Sequence, residues 1–355
     1  MHKRHQYVLI VHMLSSTETK NLHPSQPGWE ILMIKTIWRM TLFTAWASTL
    51  LGTTPLQAQS FPIQPITLVV GYAPGGSVDL VARAIAPGLS KRLGQPVNVS
   101  NVAGASGAIA AIQVALSEPT GYTLLLGSPA EVGINHLTSR SKYDPLKDTT
   151  PIALIGSQPM VLVASKRVPV ATVDEFLAYS TQHPGATTYA SSGMGTPLHL
   201  AGETVKQKAG VDIKHIPYRG AGPMLPDVLG GQVDYAVMVL SSALKHINDG
   251  RIKALGLTQN NRSAAAPTVP ALGEHPKLKG VDIGVWFGVL GPAKMPPAVV
   301  TQLRAEIREV LKDPALRKKM EASGLNLAED TDFVPFLKAE VAKFKQVVEF
   351  AGIRN

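Results

Sequence analysis

The chain contains no cysteine. That removes disulfides, thiolate zinc sites, cysteine nucleophiles and a lipidated N-terminal cysteine together. Aromatic residues are few, at 6%, and charged residues make up only 17%. The basic residues are spread along the chain and do not interleave with aromatics. The formal net charge of +9 therefore suits the steering of small anions and argues against nucleic-acid binding. No apolar run reaches the ~20 residues that a membrane span needs. Also missing are G-x-S-x-G, H-E-x-x-H, G-x-G-x-x-G and a P-loop lysine. His136, His183, His199, His215, His246 and His275 do not pair at metal-ligand spacing on one helix. No metal and no cofactor is expected, and no catalytic residue is assigned. A secreted hydrolase whose Ser/His/Asp set assembles from distant positions is the alternative reading. The sensor lobe of a transcription regulator is a third, but it would need an N-terminal DNA-binding domain.

What is present begins with an export pattern. Lys35 and Arg39 precede an uncharged apolar stretch, Met40 to Gly52, which ends in Leu56-Gln57-Ala58. This reads as a secretory signal peptide over 33–58, cleaved after Ala58. Residues 1–32 read as an upstream extension, with Met33 as the initiator. Export places the chain in the periplasm.

The most informative stretch is 66–93. A β-branched run, Ile66 to Val70, ends at Gly71 and is followed by the turn Pro74-Gly75-Gly76-Ser77. Val78, Val81, Ala82, Ile85 and Leu89 then mark one helix face. A strand thus feeds a helix through a loop almost without side chains, which brings backbone N–H groups to a ligand at the positive end of a helix dipole. Such a loop suits an anion, though it is also an ordinary tight turn. Asp79 admits two readings: capping of the first helical turn, or contact with the ammonium group of an amino-acid ligand.

Strands are predicted over 66–72, 97–101, 122–127, 152–156, 160–165, 187–190, 213–216, 233–239, 252–258 and 285–290. Helices are predicted over 78–93, 106–117, 173–182, 197–209, 225–230, 242–249, 297–312, 314–322 and 332–351. This alternation predicts α/β architecture with parallel strands in two sheets. The run 152–169 reads as two strand pieces around Gly156 to Pro159 that cross between domains, with a return between Thr258 and Val285. The C-terminal third reads as core packing, opened by an Asp313-Pro314 helix start.

Two further loops suit a ligand. In Ser191-Ser192-Gly193-Met194-Gly195-Thr196-Pro197, Thr196 is an N-cap and Pro197 a first helical residue. Its hydroxyls and glycines at a helix N-terminus suit a carboxylate, with His199 packed in the first turn. In Tyr218-Arg219-Gly220-Ala221-Gly222-Pro223, Tyr218 is placed to cover the ligand. Arg219 reads equally as a carboxylate partner and as a solvated surface residue.

APGGSVD (73–79), GYTLLLG (121–127), YASSGMGTPLHLAGE (189–203), PYRGAGPMLPDVLGGQVDYAVM (217–238) and VWFGVLGPAKMP (285–296) occur in this order. Together they resemble the Bug family, the extracytoplasmic solute receptors of tripartite tricarboxylate transport systems. The resemblance implies a two-lobed periplasmic binding protein of the type II class, with two sheets, flanking helices and a ligand cleft between lobes. Lobe one would comprise 61–160 and 281–355, and lobe two 161–280. It implies a monomer that captures a small carboxylate or dicarboxylate and docks on membrane subunits of the transporter or on a sensor kinase. The site residues expected are Tyr72, Gly75, Gly76, Ser77, Asp79, Ser128, Ser192, Gly193, Gly195, Thr196 and Tyr218. Ser128 is included because relatives use the loop after strand 122–127. Gly104 to Gly107 is taken as structural, because Asn101-Val102-Ala103 replaces the arginine-proline lead-in. Pro226 also departs from the family pattern, so the helix after Pro223 is expected to start near Leu225 or to have a distorted first turn.

Overall fold

The computed structural model describes residues 61–138, 143–329 and 331–352. The expected signal peptide and upstream extension lie outside the described residues.

In chain order the strands are β1 (Ile66–Val70), β2 (Val97–Asn101), β3 (Thr123–Gly127), β4 (Thr149–Ala164) and β5 (Thr188–Ser191). They continue as β6 (Lys214–Pro217), β7 (Tyr235–Val239), β8 (Lys253–Leu257), β9 (Gly284–Pro292) and β10 (Asn326–Leu327). The order across the sheet is β2-β1-β3-β9-β4-β7-β5-β6, with β8 and β10 also bonded to β4. β1 pairs in parallel with β2 and β3, and β5 in parallel with β6 and β7. β1 is almost wholly buried, the burial expected of a parallel strand covered on both faces.

The main helices are α1 (Ser77–Leu93), α2 (Ala108–Ala115), α3 (Asn135–Thr138), α4 (Pro145–Asp148), α5 (Val173–Gln182) and α6 (Pro197–Ala209). They are followed by α7 (Ala221–Leu229), α8 (Leu240–Asn248), α9 (Pro297–Leu311), α10 (Pro314–Ala322) and α11 (Phe333–Phe350). Sequence chemistry sets their ends. Thr172 and Glu175 form a capping box at α5, and Asp313 caps α10 ahead of Pro314. The α1 face read from the sequence is buried. On α9 and α11, Leu303, Ile307, Phe333, Leu337 and Phe344 are buried, so the C-terminal third packs as core. Phe333 meets Trp286 edge-on with ring centroids 5.6 Å apart.

The crossing at 152–169 differs from the expectation. It is not two pieces but one strand, β4. Thr149 to Pro159 pair with β9, and Met160 to Ala164 pair with β7. Register shifts between Pro151 and Ala153 and between Leu154 and Gly156 absorb the irregular residues. Gly156 is where β10 passes: a Cβ there would lie 2.4 Å from the Asn326 carbonyl oxygen. Thr258 N–H donates to the Met160 carbonyl and its hydroxyl donates to the Ile283 carbonyl.

The helix after Gly220 begins at Ala221, not near Leu225. Pro223 falls in its first turn, where an N–H has no helical partner to lose, and Pro226 removes one interior bond.

Candidate functional site

The loops that leave β1, β2, β3, β5 and β6 converge at the C-terminal ends of parallel strands, where open α/β sheets place ligands. Among the helices that start there without a side-chain cap are α1 after Gly76 and α7 after Gly220. Their first N–H groups therefore lack intrahelical partners. The two starts face each other. A Cβ on Gly76 would lie 3.9 Å from Ala221 N, and one on Gly222 only 2.4 Å from the Pro74 carbonyl oxygen. Glycine at 222 allows the backbones to approach this closely, whereas a Cβ at 76 would make ordinary contacts.

A small cavity of about 30 Å³ lies at this junction. Gly76, Ser77, Ser128, Ser192 and Ala221 line it, with Phe287 among its apolar walls. It holds about one water. Beside it a larger cavity of about 250 Å³ runs between Tyr72, Ser106, Ser192, Gly193, Tyr218 and Arg219. Tyr72 and Ser192 belong to both. Among the described residues no hydrogen bond is made by the Ser77 or Ser192 side chains, so both hydroxyls are available in the cleft.

Asp79 is occupied from within. Its carboxylate accepts from Gly75 N–H, Arg83 Nε and Asn101 Nδ2, each at 3.0 Å. Burial acts to raise its pKa, but the bonds from Arg83, Gly75 and Asn101 outweigh it and hold the group below the usual carboxylate range. Asp79 thus fixes the glycine loop and ties it to β2.

The second loop is held by its own hydroxyls. Thr196 Oγ1 donates to the Gly193 carbonyl at 2.8 Å and accepts from His199 N–H. Thr196 is fully buried and lines neither cavity; it caps α6. Gly193 lines the larger cavity, and Gly195 lies against Thr138. Ser191 Oγ sits 2.7 Å from His215 Nε2. This is the serine–histidine contact that the hydrolase alternative requires, but Ser191 is 0% exposed. The His215 ring stacks on Tyr189 and His199, and among the described residues no carboxylate bonds to it. Burial keeps His199 and His215 neutral, with pKa values lowered to about 4 and about 3.

Tyr218 presents its ring to the larger cavity while its hydroxyl donates to Asp227 at 2.6 Å. Burial and Asp227 push that phenol up to about 12.

A family model described as "Tripartite tricarboxylate transporter family receptor" matches residues 81–353. Protein BugT of Bordetella pertussis is 33% identical over 84% of this chain and 93% of its own length. The periplasmic binding protein BugD superposes with a TM-score of 0.79 at 30% identity, covering 83% of this chain and 99% of that one. MatC from Rhodopseudomonas palustris, solved with bound malate, has a TM-score of 0.77 at 31% identity, covering 81% and 100%. An R. palustris protein, Rpa4515, solved with adipate, has a TM-score of 0.80 at 32% identity, covering 83% and 99%.

The chain belongs to the tripartite tricarboxylate transporter receptor family.

As a family receptor it is an α/β binding protein of the periplasmic type. Among the described residues no helix is long and apolar enough to cross a membrane. The receptor's cleft contains two features that sequence reasoning missed. The first is the loop 104–107, read as structural, which lines the larger cavity. Ala105 and Ser106 both have positive φ, 45° and 50°. Asn135 holds them there by donating to both carbonyls, the Tyr72 hydroxyl lies 3.3 Å from the Ser106 carbonyl, and Ser106 Oγ donates to the Met194 carbonyl at 2.6 Å. The second is Glu131, in a π-helical turn, Ala130–Ile134. Its carboxyl accepts from Ser128 N–H at 2.9 Å, Ser128 Oγ at 2.8 Å and the Tyr72 hydroxyl at 3.2 Å. Ser128 thus reaches the cleft already engaged. The only signal for Glu131 in the sequence is a lone acid in the apolar run Pro129 to Ile134.

A larger groove, of about 620 Å³, lies away from this cleft and is lined by Arg304, Arg308, Lys312 and Arg317 among others. Arg304 donates to the Ile152 carbonyl, Lys312 to Glu309, and Arg317 pairs with Glu321 and Glu329. These cations serve the protein's own acceptors, so the cleft is the better candidate site.

Proposed function

We propose that this chain is an exported receptor that closes on a small carboxylate or dicarboxylate and delivers it to the membrane subunits of a tripartite tricarboxylate transporter. The observation that carries the reading is the meeting of the uncapped α1 and α7 N-termini beside the unengaged Ser77 and Ser192 hydroxyls. Backbone N–H groups at helix starts hold a carboxylate without a metal or a cofactor. Malate and adipate in the related structures agree with this chemistry.

The proposed site comprises Gly76, Ser77 and Ser192 as donors, with Tyr72, Gly193 and Tyr218 as walls. Gly75, Asp79, Ser128, Gly195 and Thr196 shape it from behind. Lobe one is proposed as 61–160 with 281–355 and lobe two as 161–280. The change of strand partner between Pro159 and Met160 supports that division. Hinge motion at the two crossings would open the cleft. Signal-peptide cleavage after Ala58, a monomeric state, the absence of catalysis and docking on a sensor kinase as the other partner complete the proposal.

The test is a thermal-shift panel of mono-, di- and tricarboxylates, amino acids and sugars on residues 59–355. A ligand at 100 times its Kd stabilises by about 2.7 kcal/mol, a shift of several degrees. Shifts confined to acids are expected; shifts with sugars alone would refute the reading.

A further inference from the structure

Glu131 lies directly behind the cleft and is 0% exposed. Its two partners Tyr72 and Ser128 both line the small cavity. Each hydroxyl has a single proton to give. When Glu131 is ionised, the Ser128 proton points inward to Oε2, and the Tyr72 proton points to Oε2 or to the Ser106 carbonyl, 3.3 Å away. From Ser128 and Tyr72 only oxygen lone pairs then face the cavity, and a buried negative charge lies behind them. Both features oppose an incoming carboxylate. When Glu131 is protonated, its O–H must itself be donated to one of these hydroxyls. Ser128, when it receives that proton, turns its own into the cavity, where it serves a carboxylate oxygen; Tyr72, when it receives it, has the Ser106 carbonyl as well as the cavity to donate to.

We propose that Glu131 is a positioning residue that takes up a proton as the cleft takes up a carboxylate, turning Ser128 or Tyr72 into a donor to the ligand. This deepens the carboxylate reading above and rests on it. The surroundings support a carboxyl poised near neutrality. Burial raises it to about 7, against the bonds from Ser128 and Tyr72. The titratable groups facing it are phenols, Tyr72 from the end of β1 and Tyr143 from the segment before α4, both raised by burial and by Glu131 itself. Loop 104–107 offers backbone only, with the Cβ position of Gly107 3.0 Å from Oε2. Helix α2 carries no titratable residue, and α3 offers Asn135 and His136, the latter coupled to Asp144. Helix α11 packs Phe344 at Gly133; of its charged residues Lys338, Glu340, Lys343, Lys345 and Glu349, Lys343 pairs with Glu340.

The experiment is isothermal titration of the purified protein with malate, adipate and succinate from pH 6.5 to 9, where these acids stay ionised. Runs in two buffers of different ionisation enthalpy measure proton uptake directly. Affinity is expected to fall about tenfold per pH unit above pH 7, with close to one proton taken up per ligand at pH 8. Glu131→Gln keeps an acceptor for Ser128 N–H and supplies a permanent donor, so its affinity is expected to be flat with pH and at least about tenfold above wild type at pH 8.5. Affinity independent of pH with no proton uptake in the unmodified protein would overturn the inference and leave the carboxylate reading standing. So would a Glu131→Gln profile as steep as wild type. Absence of binding by every acid, in both proteins and at every pH, would overturn both readings.

Discussion

Pro74 and Gly222 meet backbone to backbone across the cleft: a Cβ added to Gly222 would lie 2.4 Å from the Pro74 carbonyl oxygen. The contact brings the α1 and α7 starts together, and a backbone atom does not yield as a flexible side chain does. Gly222→Ala is therefore expected to disfavour this arrangement by about 1 to 3 kcal/mol, the range of overpacking. Carboxylate affinity should fall about 10- to 100-fold while the unliganded melting temperature changes little. Titration calorimetry alongside thermal denaturation checks both parts, and unchanged affinity would show that the two starts need not meet.

The hydroxyls of the two glycine loops divide into two kinds. Ser77 and Ser192 are unengaged and line the small cavity, so Ser77→Ala and Ser192→Ala should each weaken carboxylate binding by about 1 kcal/mol with little loss of stability. Thr196 is a buried N-cap. Thr196→Ala should lower stability by about 1 kcal/mol and affect binding only through that loop. Denaturant titration separates the two classes.

Asp79 holds the first loop through Gly75, Arg83 and Asn101. Asp79→Ala should destabilise the protein by about 1 to 3 kcal/mol, since buried donors lose their acceptor. Affinity for amino acids and for plain dicarboxylates should drop together. A loss confined to amino-acid ligands would instead assign the carboxylate to a ligand ammonium group.

The buried titratable groups set opposite pH slopes. His199 and His215 have lowered pKa values, about 4 and about 3, so the unfolded chain binds protons that the folded protein refuses. Their neutral burial destabilises progressively as pH falls below about 6.5. Glu131 is raised to about 7, so its contribution is fully present below about 4.5 and is lost as pH rises through 7. Between these limits the two oppose each other. Glu131→Gln removes one slope, and its stability should rise more steeply from pH 4.5 to 7 than that of wild type. Denaturation midpoints at several pH values check this; parallel curves would contradict it.

The legible parts of the site are those with local chemistry. Gly75-Gly76-Ser77 and Thr196-Pro197 announce helix starts through turn and cap residues a few positions apart. Strand β4 was less legible because Gly156 and Pro159 punctuate it, and only the approach of β10 and the handover from β9 to β7 explain why they sit inside a strand. Glu131 carried almost no signal, because its role depends on Tyr72, 59 residues away, and on a loop whose positive φ values fall on Ala105 and Ser106 rather than on glycine. Tyr218 lines the larger cavity, but its hydroxyl goes to Asp227 on the following helix, a tertiary choice that the motif does not specify.

The central claim is that the α1 and α7 N-termini hold the ligand carboxylate. The most direct measurement is a crystal structure of the complex with the acid giving the largest thermal shift. It should place a carboxylate oxygen about 2.7 to 3.2 Å from the first N–H groups of α1 or α7 and from Ser77 or Ser192. A carboxylate bound instead in the groove of Arg304, Arg308, Lys312 and Arg317 would contradict the account.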